Sequence, residues 1–401
     1  MSDLERQLLS GEAWERFCDR LRDSGRRLLS EEFPGGARGR AEGYRHLSRL
    51  LVFGLQWNLE SGDPEFPVFC RTNDDAVRWG GMNVDNRNQR ARIDGRHAYR
   101  IVGNAGNLHR FLVTVKNGDM QLERYGNQAE KSSDELAIGP GGEVEIVLAG
   151  ERPAGWHGDF IPIAPDAEYV LLRQYLYDWD RDSTGWFAIE RIGNEGRAPE
   201  PIGPELVAGA LERAGEWVDR SLVYWKDYVE DARAAETDNQ LGKPANVHGA
   251  PHAIRYGNGF FRLAPDQALV VEFDRPQARY WSIQLYNLGW FEALDFANRQ
   301  TSLNGAQAHV DADDVVRVVI CERDPGVWNW LDTESYCEGM IIHRWVWPDA
   351  GAEIPEARRS AVVPWDRVRE QLPAETRLAS PAERAAAIRA RRLHVARRYR
   401  R

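Results

Sequence analysis

The chain has 401 residues, 42% of them hydrophobic and 28% charged, which suits a globular protein large enough for two domains and excludes a disordered or fibrous one. No apolar run approaches the roughly 20 residues of a bilayer-spanning helix, and the polar start MSDLERQLLSGEAWERF has no signal-peptide core, so a cytoplasmic protein without a membrane span is expected. The net charge of −10 is unevenly distributed: the final stretch AERAAAIRARRLHVARRYRR carries eight arginines and one glutamate, and the rest of the chain stands at about −17.

In chain order, residues 1–60 show helical spacing (Leu4, Leu8, Leu9, then Phe17, Leu21, Leu28, and later Leu47, Leu50, Leu51) with a break at FPGGARG. Residues 66–195 read as a first β domain, with HAYRIVG, RFLVTVK, EVEIVLA, EYVLLRQYLYDW and GWFAIERI separated by Gly, Asn and Asp turns. A connecting helix is expected over 204–237, where Val207, Leu211, Ala214, Val218, Leu222 and Trp225 trace one face and Pro204 suits the first turn. Strands return in a second β domain, 246–348 (FFRLAP, ALVVEFD, RYWSIQLYN, VVRVVICERD, GMIIHRWVW), and a helical segment with a basic tail closes the chain over 364–401. The fold class is therefore mainly β with helical additions: two β-sandwich or jelly-roll-like halves joined by a long helix, with helical N- and C-terminal segments.

The tail has no accompanying nucleic-acid-binding signature, so nucleic acid is not expected as a partner. It is expected to dock as a helix on acidic surface of its own or a neighbouring subunit, which leaves room for a homo-oligomer. Cys18, Cys70, Cys321 and Cys337 lie far apart in sequence and read as free thiols.

Strand alternation sorts the polar residues. In RYWSIQLYN, Trp281, Ile283 and Leu285 point to a core, and Tyr280, Ser282, Gln284 and Tyr286 point away. In EYVLLRQYLYDW, Val170, Leu172 and Leu176 oppose Tyr169, Arg173, Tyr175 and Tyr177. Two tyrosine-bearing faces suggest the wall of a cleft, the alternative being cross-strand pairs on an exposed sheet. Tryptophan, at 15, outnumbers tyrosine and phenylalanine at 13 each, which suits flat apolar ligands.

No metal site and no cofactor are expected. His248 and His252 in HGAPH lack the helix that would align them, because Gly249 and Pro251 intervene. Asp178, Asp180 and Asp182 open like a calcium loop, but the glycine and the closing glutamate that such a loop needs are out of place. There is no nucleophile elbow, no P-loop and no dinucleotide fingerprint. The segment DPGVWNWLDTESYCEGMIIHRW, by contrast, combines a tight turn at Asp324-Pro325-Gly326 with Trp328, Asn329, Trp330 and Asp332, a rigid loop on any reading.

The residues YWSIQLYN, NRQTSLN, RDPGVWNWLDT, Gly339 and HRW, together with ALVVEF, resemble the bacterial domain-of-unknown-function family 1214. The stretch 66–115 resembles the region that precedes this domain in such proteins. There Asn83, Asp85 and Asn86 form a structural box, with Met82 and Val84 in place of the family's Asp and Pro and Asn88 in place of a tyrosine. The resemblance implies paired β sandwiches and brings no reaction with it.

Two function classes follow. The first is an enzyme acting on a small, partly apolar organic molecule, anionic or neutral, in a cleft between the two halves. Its catalytic candidates are Asp324, Asp332 and Tyr286, and its ligand-binding candidates are Arg173, Tyr175, Tyr280, Gln284, Asn287, Arg299, Asn329, Trp330 and Arg344. A carboxylate beside arginine and tyrosine can act as a base, and Arg173 or Arg344 can clamp a carboxylate. The second is a non-catalytic ligand-binding or assembly module, in which the same residues are structural.

Overall fold

The computed structural model describes residues 1–399. The chain forms two units: Met1–Trp79, Asn86–Leu176 and Ser183–Lys226 make the first, and Gly80–Asp85, Tyr177–Asp182 and the chain from Asp227 onward make the second.

The first unit begins with α1 (Asp3–Leu9), α2 (Glu12–Arg27) and α3 (Gly36–Leu55). The connecting helix α4 runs Pro204–Ala234 and leads from this unit into the second. Phe17 of α2 packs with Leu211 and Ala214 of α4, the face that the apolar spacing marks. Gly54 of α3 permits a close approach to α4, because a Cβ there would lie 2.9 Å from a Val218 methyl.

Nine strands follow in this unit: β1 (Cys70–Asn73), β2 (Asn86–Arg92), β3 (Tyr99–Asn104), β4 (Arg110–Lys116), β5 (Asn127–Ser132), β6 (Glu143–Ala149), β7 (Asp159–Pro162), β8 (Tyr169–Tyr175) and β9 (Trp186–Arg191). They form sheets of order β1-β2-β8-β4-β5 and β7-β6-β3-β9. Val113, Val115, Val170 and Leu172 from the first sheet meet Ile101, Ile146, Leu148 and Ile189 from the second in one core. The outcome is a β sandwich.

The second unit holds β10 (Gln240–Leu241), β11 (Ile254–Arg262), β12 (Gln267–Asp274), β13 (Ala278–Tyr286), β14 (Ser302–Asn304), β15 (Val315–Cys321), β16 (Trp330–Asp332), β17 (Glu338–Pro348) and β18 (Ala357–Pro364). Its sheets run β10-β11-β17-β13-β14 and β16-β15-β12-β18. Trp281, Ile283, Ile341 and Trp345 face Val271, Phe273, Val316 and Val318 across its core.

Counting strands from the start of each unit gives the same two orders in both. Even the one parallel pairing in each unit recurs at the same place, β6 with β7 and β15 with β16. Each half is thus a five-on-four sandwich with identical connectivity, a repeat that the sequence does not display. After a short 3₁₀ segment, Trp365–Gln371, the chain ends in α5 (Pro381–Tyr399). Its start is a capping box: Ser380 Oγ accepts the Glu383 N–H (3.3 Å), and the Glu383 carboxylate accepts the Ser380 N–H (2.8 Å). No helix of the described residues is long and apolar enough to cross a membrane.

Candidate functional site

In the second unit the face of β13 that turns from the core is neither solvated nor open. Tyr280, Ser282, Gln284 and Tyr286 are all at 0% exposure, and residues 80–85 bond to them. Asp85 is the centre of this network. Its Oδ1 accepts from Trp179 Nε1 (2.8 Å) and Asn304 Nδ2 (3.0 Å), and its Oδ2 accepts from the Tyr280 hydroxyl (2.6 Å) and Gln284 Nε2 (3.3 Å). Asn83 Oδ1 accepts a shorter bond from Gln284 Nε2, 2.7 Å. Arg344 donates to the Tyr286 hydroxyl oxygen (2.8 Å), to Gln284 Oε1 (3.3 Å) and to the Gly81 carbonyl (2.6 Å).

Burial pushes the Asp85 carboxyl above its ordinary range, against the pull of Tyr280, Arg398 and Asn304. Four donors surround it, the arrangement an ionised carboxylate requires. Burial also raises the Tyr286 hydroxyl to about 12 and lifts that of Tyr280 well above its ordinary value. Tyrosines so hard to ionise suit hydrogen bonding better than proton abstraction. The alternation in the sequence found Tyr280, Gln284 and Tyr286. Trp179 and Asn304 were missed as members, because they reach Asp85 from segments 94 and 219 residues away.

The loop 324–332 is a second, separate group. Asp324 Oδ1 accepts the Gly326 N–H (2.9 Å) in a turn that Gly326 completes with φ +74°. Asn329 joins three backbone groups: its Oδ1 accepts from His309 N–H (2.8 Å), and its Nδ2 donates to the carbonyls of His309 (2.7 Å) and Arg317 (2.9 Å). Asp332 pairs with Arg299 (2.8 Å) and accepts the Glu334 N–H (2.8 Å). Trp330 Nε1 donates to the Cys321 carbonyl (2.9 Å), and Asn287 Oδ1 accepts the Glu292 N–H (3.0 Å).

The helix α5 leans on this loop. Arg384 pairs with Asp324 (2.9 Å) and donates to the Val327 carbonyl (2.5 Å), and beside them an open groove of about 780 Å³ is lined by Ala379, Ala385, Ile388, Arg389 and Arg392. Farther along, Arg391 bonds the Ser302 carbonyl and hydroxyl, and Arg398 bonds the Val84 carbonyl. His394 donates from Nδ1 to the Trp179 carbonyl (2.8 Å), stacks on the Trp179 ring and accepts from Arg398 at Nε2 (2.6 Å). Burial holds this imidazole neutral, with its pKa down to about 2. The tail therefore docks as a helix within its own unit, but mostly on carbonyl oxygens rather than on the acidic surface expected. Among the described residues Asp324 is the one carboxylate its arginines reach. The reason is burial: a dehydrated peptide carbonyl is a strong acceptor for a guanidinium fork.

In the first unit the five-stranded sheet has an outer face of its own. At one end Arg90 lies 3.9 Å from the Trp57 ring centre and 4.5 Å from Phe53, and it pairs with Asp119 at 2.7 Å. Asp119 also accepts from Trp217 Nε1 (2.9 Å) and the Tyr169 hydroxyl (3.1 Å). Burial raises the Asp119 carboxyl, but Arg90 and these donors outweigh it and leave it below the ordinary range.

Farther along the same face Arg173 stands opposite Asn88 of β2 and Leu112 of β4. It donates to Thr114 Oγ1 (2.8 Å) and has no other partner among the described residues. Lys116 lies two residues beyond Thr114. Burial, and then the charge of Arg173, push its ammonium down to about 8, with Asp119 and Glu130 opposing. Asn88 donates weakly to Asn73 Oδ1 (3.4 Å), while its own Oδ1 is buried without a partner. Tyr175 is fully buried and pairs across the strands with Asn86. The alternation of RFLVTVK carried the signal for Thr114 and Lys116, which point away from Val113 and Val115.

The candidate residues thus fall into three groups: the Asp85 network, the 324–332 loop and the Arg173 face. Among the described residues, no group of three or more His, Cys, Asp or Glu is placed to hold a metal ion.

The family model described as "Protein of unknown function (DUF1214)" matches residues 261–350, the stretch holding β13, the 324–332 loop and all of β17. A crystal structure of an uncharacterized protein from Burkholderia cenocepacia is similar with a TM-score of 0.82 and 32% sequence identity, covering 91% of this chain and 100% of that one. The crystal structure of the VPA0106 protein from Vibrio parahaemolyticus covers 79% of this chain and 96% of its own, but at 13% identity and a TM-score of 0.46 it carries no argument. No curated protein matches. Through the match over residues 261–350, the chain belongs to the DUF1214 family of proteins of unknown function.

Proposed function

We propose that this chain is a non-catalytic binding protein for a small organic anion, with the DUF1214 segment acting as scaffold. Of the two function classes open to the sequence, this reading is supported by how the charged groups are used. Asp324, Asp332 and Tyr286, the residues best suited to acid–base chemistry, are held by Arg384, by Arg299 and by Arg344 respectively. Arg344 is itself bonded to Tyr286, Gln284 and the Gly81 carbonyl. Arg173 alone among the candidate arginines keeps donors without a partner while its side chain is only half-buried, and that observation carries the proposal. A guanidinium fork with free edges is a carboxylate or oxyanion receptor.

Calorimetric titration of the full chain at low ionic strength with acetate, sulfate and phosphate tests it. Saturable binding of at least one anion, lost in Arg173→Met, is expected. Absence of saturable binding by all three, or binding undiminished in the variant, overturns the proposal.

A further inference from the structure

The identical wiring of the two sandwiches allows one to be compared with the other, strand for strand. β8 and β17 are the central strands of the two five-stranded sheets, flanked by β2 and β4 in one unit and by β11 and β13 in the other. Each central strand carries one arginine on the face turned from its core. Arg173 alternates with Leu172, and Arg344 with Trp345, both core residues. Arg173 lies between Asn88 and Leu112, and Arg344 between Tyr256 and Ser282. The two arginines are counterparts.

Their partners differ. The face around Arg344 is already filled by a piece of chain that behaves as a built-in ligand: the Gly81 carbonyl sits 2.6 Å from the guanidinium, and the side chains of Asn83 and Asp85 accept from Gln284 and Tyr280. Around Arg173 no such segment bonds the guanidinium, although Thr114, Lys116 and Asn88 on the same face are buried. One donor goes to Thr114 Oγ1, and the rest of the fork has no partner among the described residues. A second cation, Lys116, shares the face and is 5% exposed. An acceptor, Asn88 Oδ1, is buried opposite Arg173 with nothing donating to it. The repulsion between Arg173 and Lys116 and the orphaned acceptor are each costly. One ligand would relieve both costs if it carried a carboxylate and, beside it, a hydrogen-bond donor.

We infer that the outer face of the first unit's five-stranded sheet is a binding site for a small 2-hydroxy or 2-amino carboxylate, whose carboxylate meets Arg173 and Lys116 and whose hydroxyl or amino group donates to Asn88 Oδ1. Thr114, fully buried, fixes the guanidinium so that its free edge keeps one orientation. The low ammonium pKa of Lys116 fits the same site, since an arriving anion would restore the charge that burial and Arg173 disfavour, with Asp119 and Glu130 as the other charges facing it. The inference rests on the anion-binding reading above and adds the ligand class to it.

Calorimetric titration of the full chain with lactate and with propionate separates the two levels, since the acids differ only in the 2-hydroxyl. The expected result is lactate bound at least about tenfold tighter than propionate, the increment of one good hydrogen bond to an otherwise unpaired buried group. Asn88→Leu should reduce lactate to the level of propionate without changing propionate. A thermal melt of Asn88→Leu matching that of the parent controls for loss of fold. Equal affinities for the two acids, both lost in Arg173→Met, would overturn the ligand class and leave the anion reading standing. No binding of either acid, or binding indifferent to Arg173→Met, would overturn both.

Discussion

Asn329 closes three backbone hydrogen bonds at once, to both polar groups of His309 and to the Arg317 carbonyl, in a buried position. Replacing it with alanine leaves those groups unpaired, so Asn329→Ala is expected to cost roughly 1–3 kcal/mol in urea unfolding. Asp332→Ala should cost less, because its partner Arg299 is largely solvated and such pairs contribute little. Equal melts for parent and Asn329→Ala would refute the structural role.

Lys116 gives a pH signature. Its ammonium titrates near 8 in the folded chain and near the ordinary 10.5 when unfolded, so between those values the unfolded state holds more protons. Stability relative to a Lys116→Met variant should therefore rise from pH 8 to 10.5, by on the order of 3 kcal/mol. A difference that is flat or falling across that window, in urea titrations of the two proteins, would contradict the burial of a charged amine there.

At the scale of the element, α5 is held by polar contacts more than by apolar ones. Val395 and Tyr399 are buried, but Leu393 is 46% exposed. Deleting 381–401 should lower the melting temperature by several degrees, because the Ser302 and Val84 carbonyls lose their donors. Since the acceptors are mostly carbonyls, raising salt from about 0.05 to about 0.5 M should leave the difference between the two proteins nearly unchanged. A large salt-induced loss in the full chain would instead favour docking through exposed ion pairs. His394 adds an acid limit. Burial keeps its pKa near 2 against an ordinary 6.5, so the unfolded chain takes up the proton first and stability should fall as pH drops below 6.5. A His394→Gln variant should lack that component of the slope.

At the scale of the whole molecule, the four cysteines are free, and their burial differs. Cys337 is exposed and Cys18 partly so, whereas Cys70 and Cys321 are buried with thiols pushed up by burial, that of Cys321 to about 12. A thiol reagent should label Cys337 quickly and Cys18 more slowly, and reach the other two only in denaturant. Simultaneous labelling of all four in native buffer would show that the two sandwiches open far more readily than their cores suggest. Those cores, each between a five- and a four-stranded sheet with the same strand order, are also what makes the comparison of Arg173 with Arg344 meaningful.

Local chemistry was enough to determine much of this from the amino-acid order. The alternation in RYWSIQLYN assigns Trp281, Ile283 and Leu285 to a core, the spacing from Val207 to Trp225 marks the buried side of α4, and Ser380 with Glu383 starts α5. Each is a relation among residues a few positions apart, set by strand and helix periodicity. Tertiary structure alone decided the rest. Residues 80–85 and 177–182 join the second unit, where Asp85 meets Trp179, Tyr280 and Asn304. Asn88 comes to stand opposite Arg173, 85 residues away, only because β2 pairs with β8 in one register. Strand order and register depend on which distant segments bury each other's apolar faces, a property of the assembled core that no single stretch of chain contains.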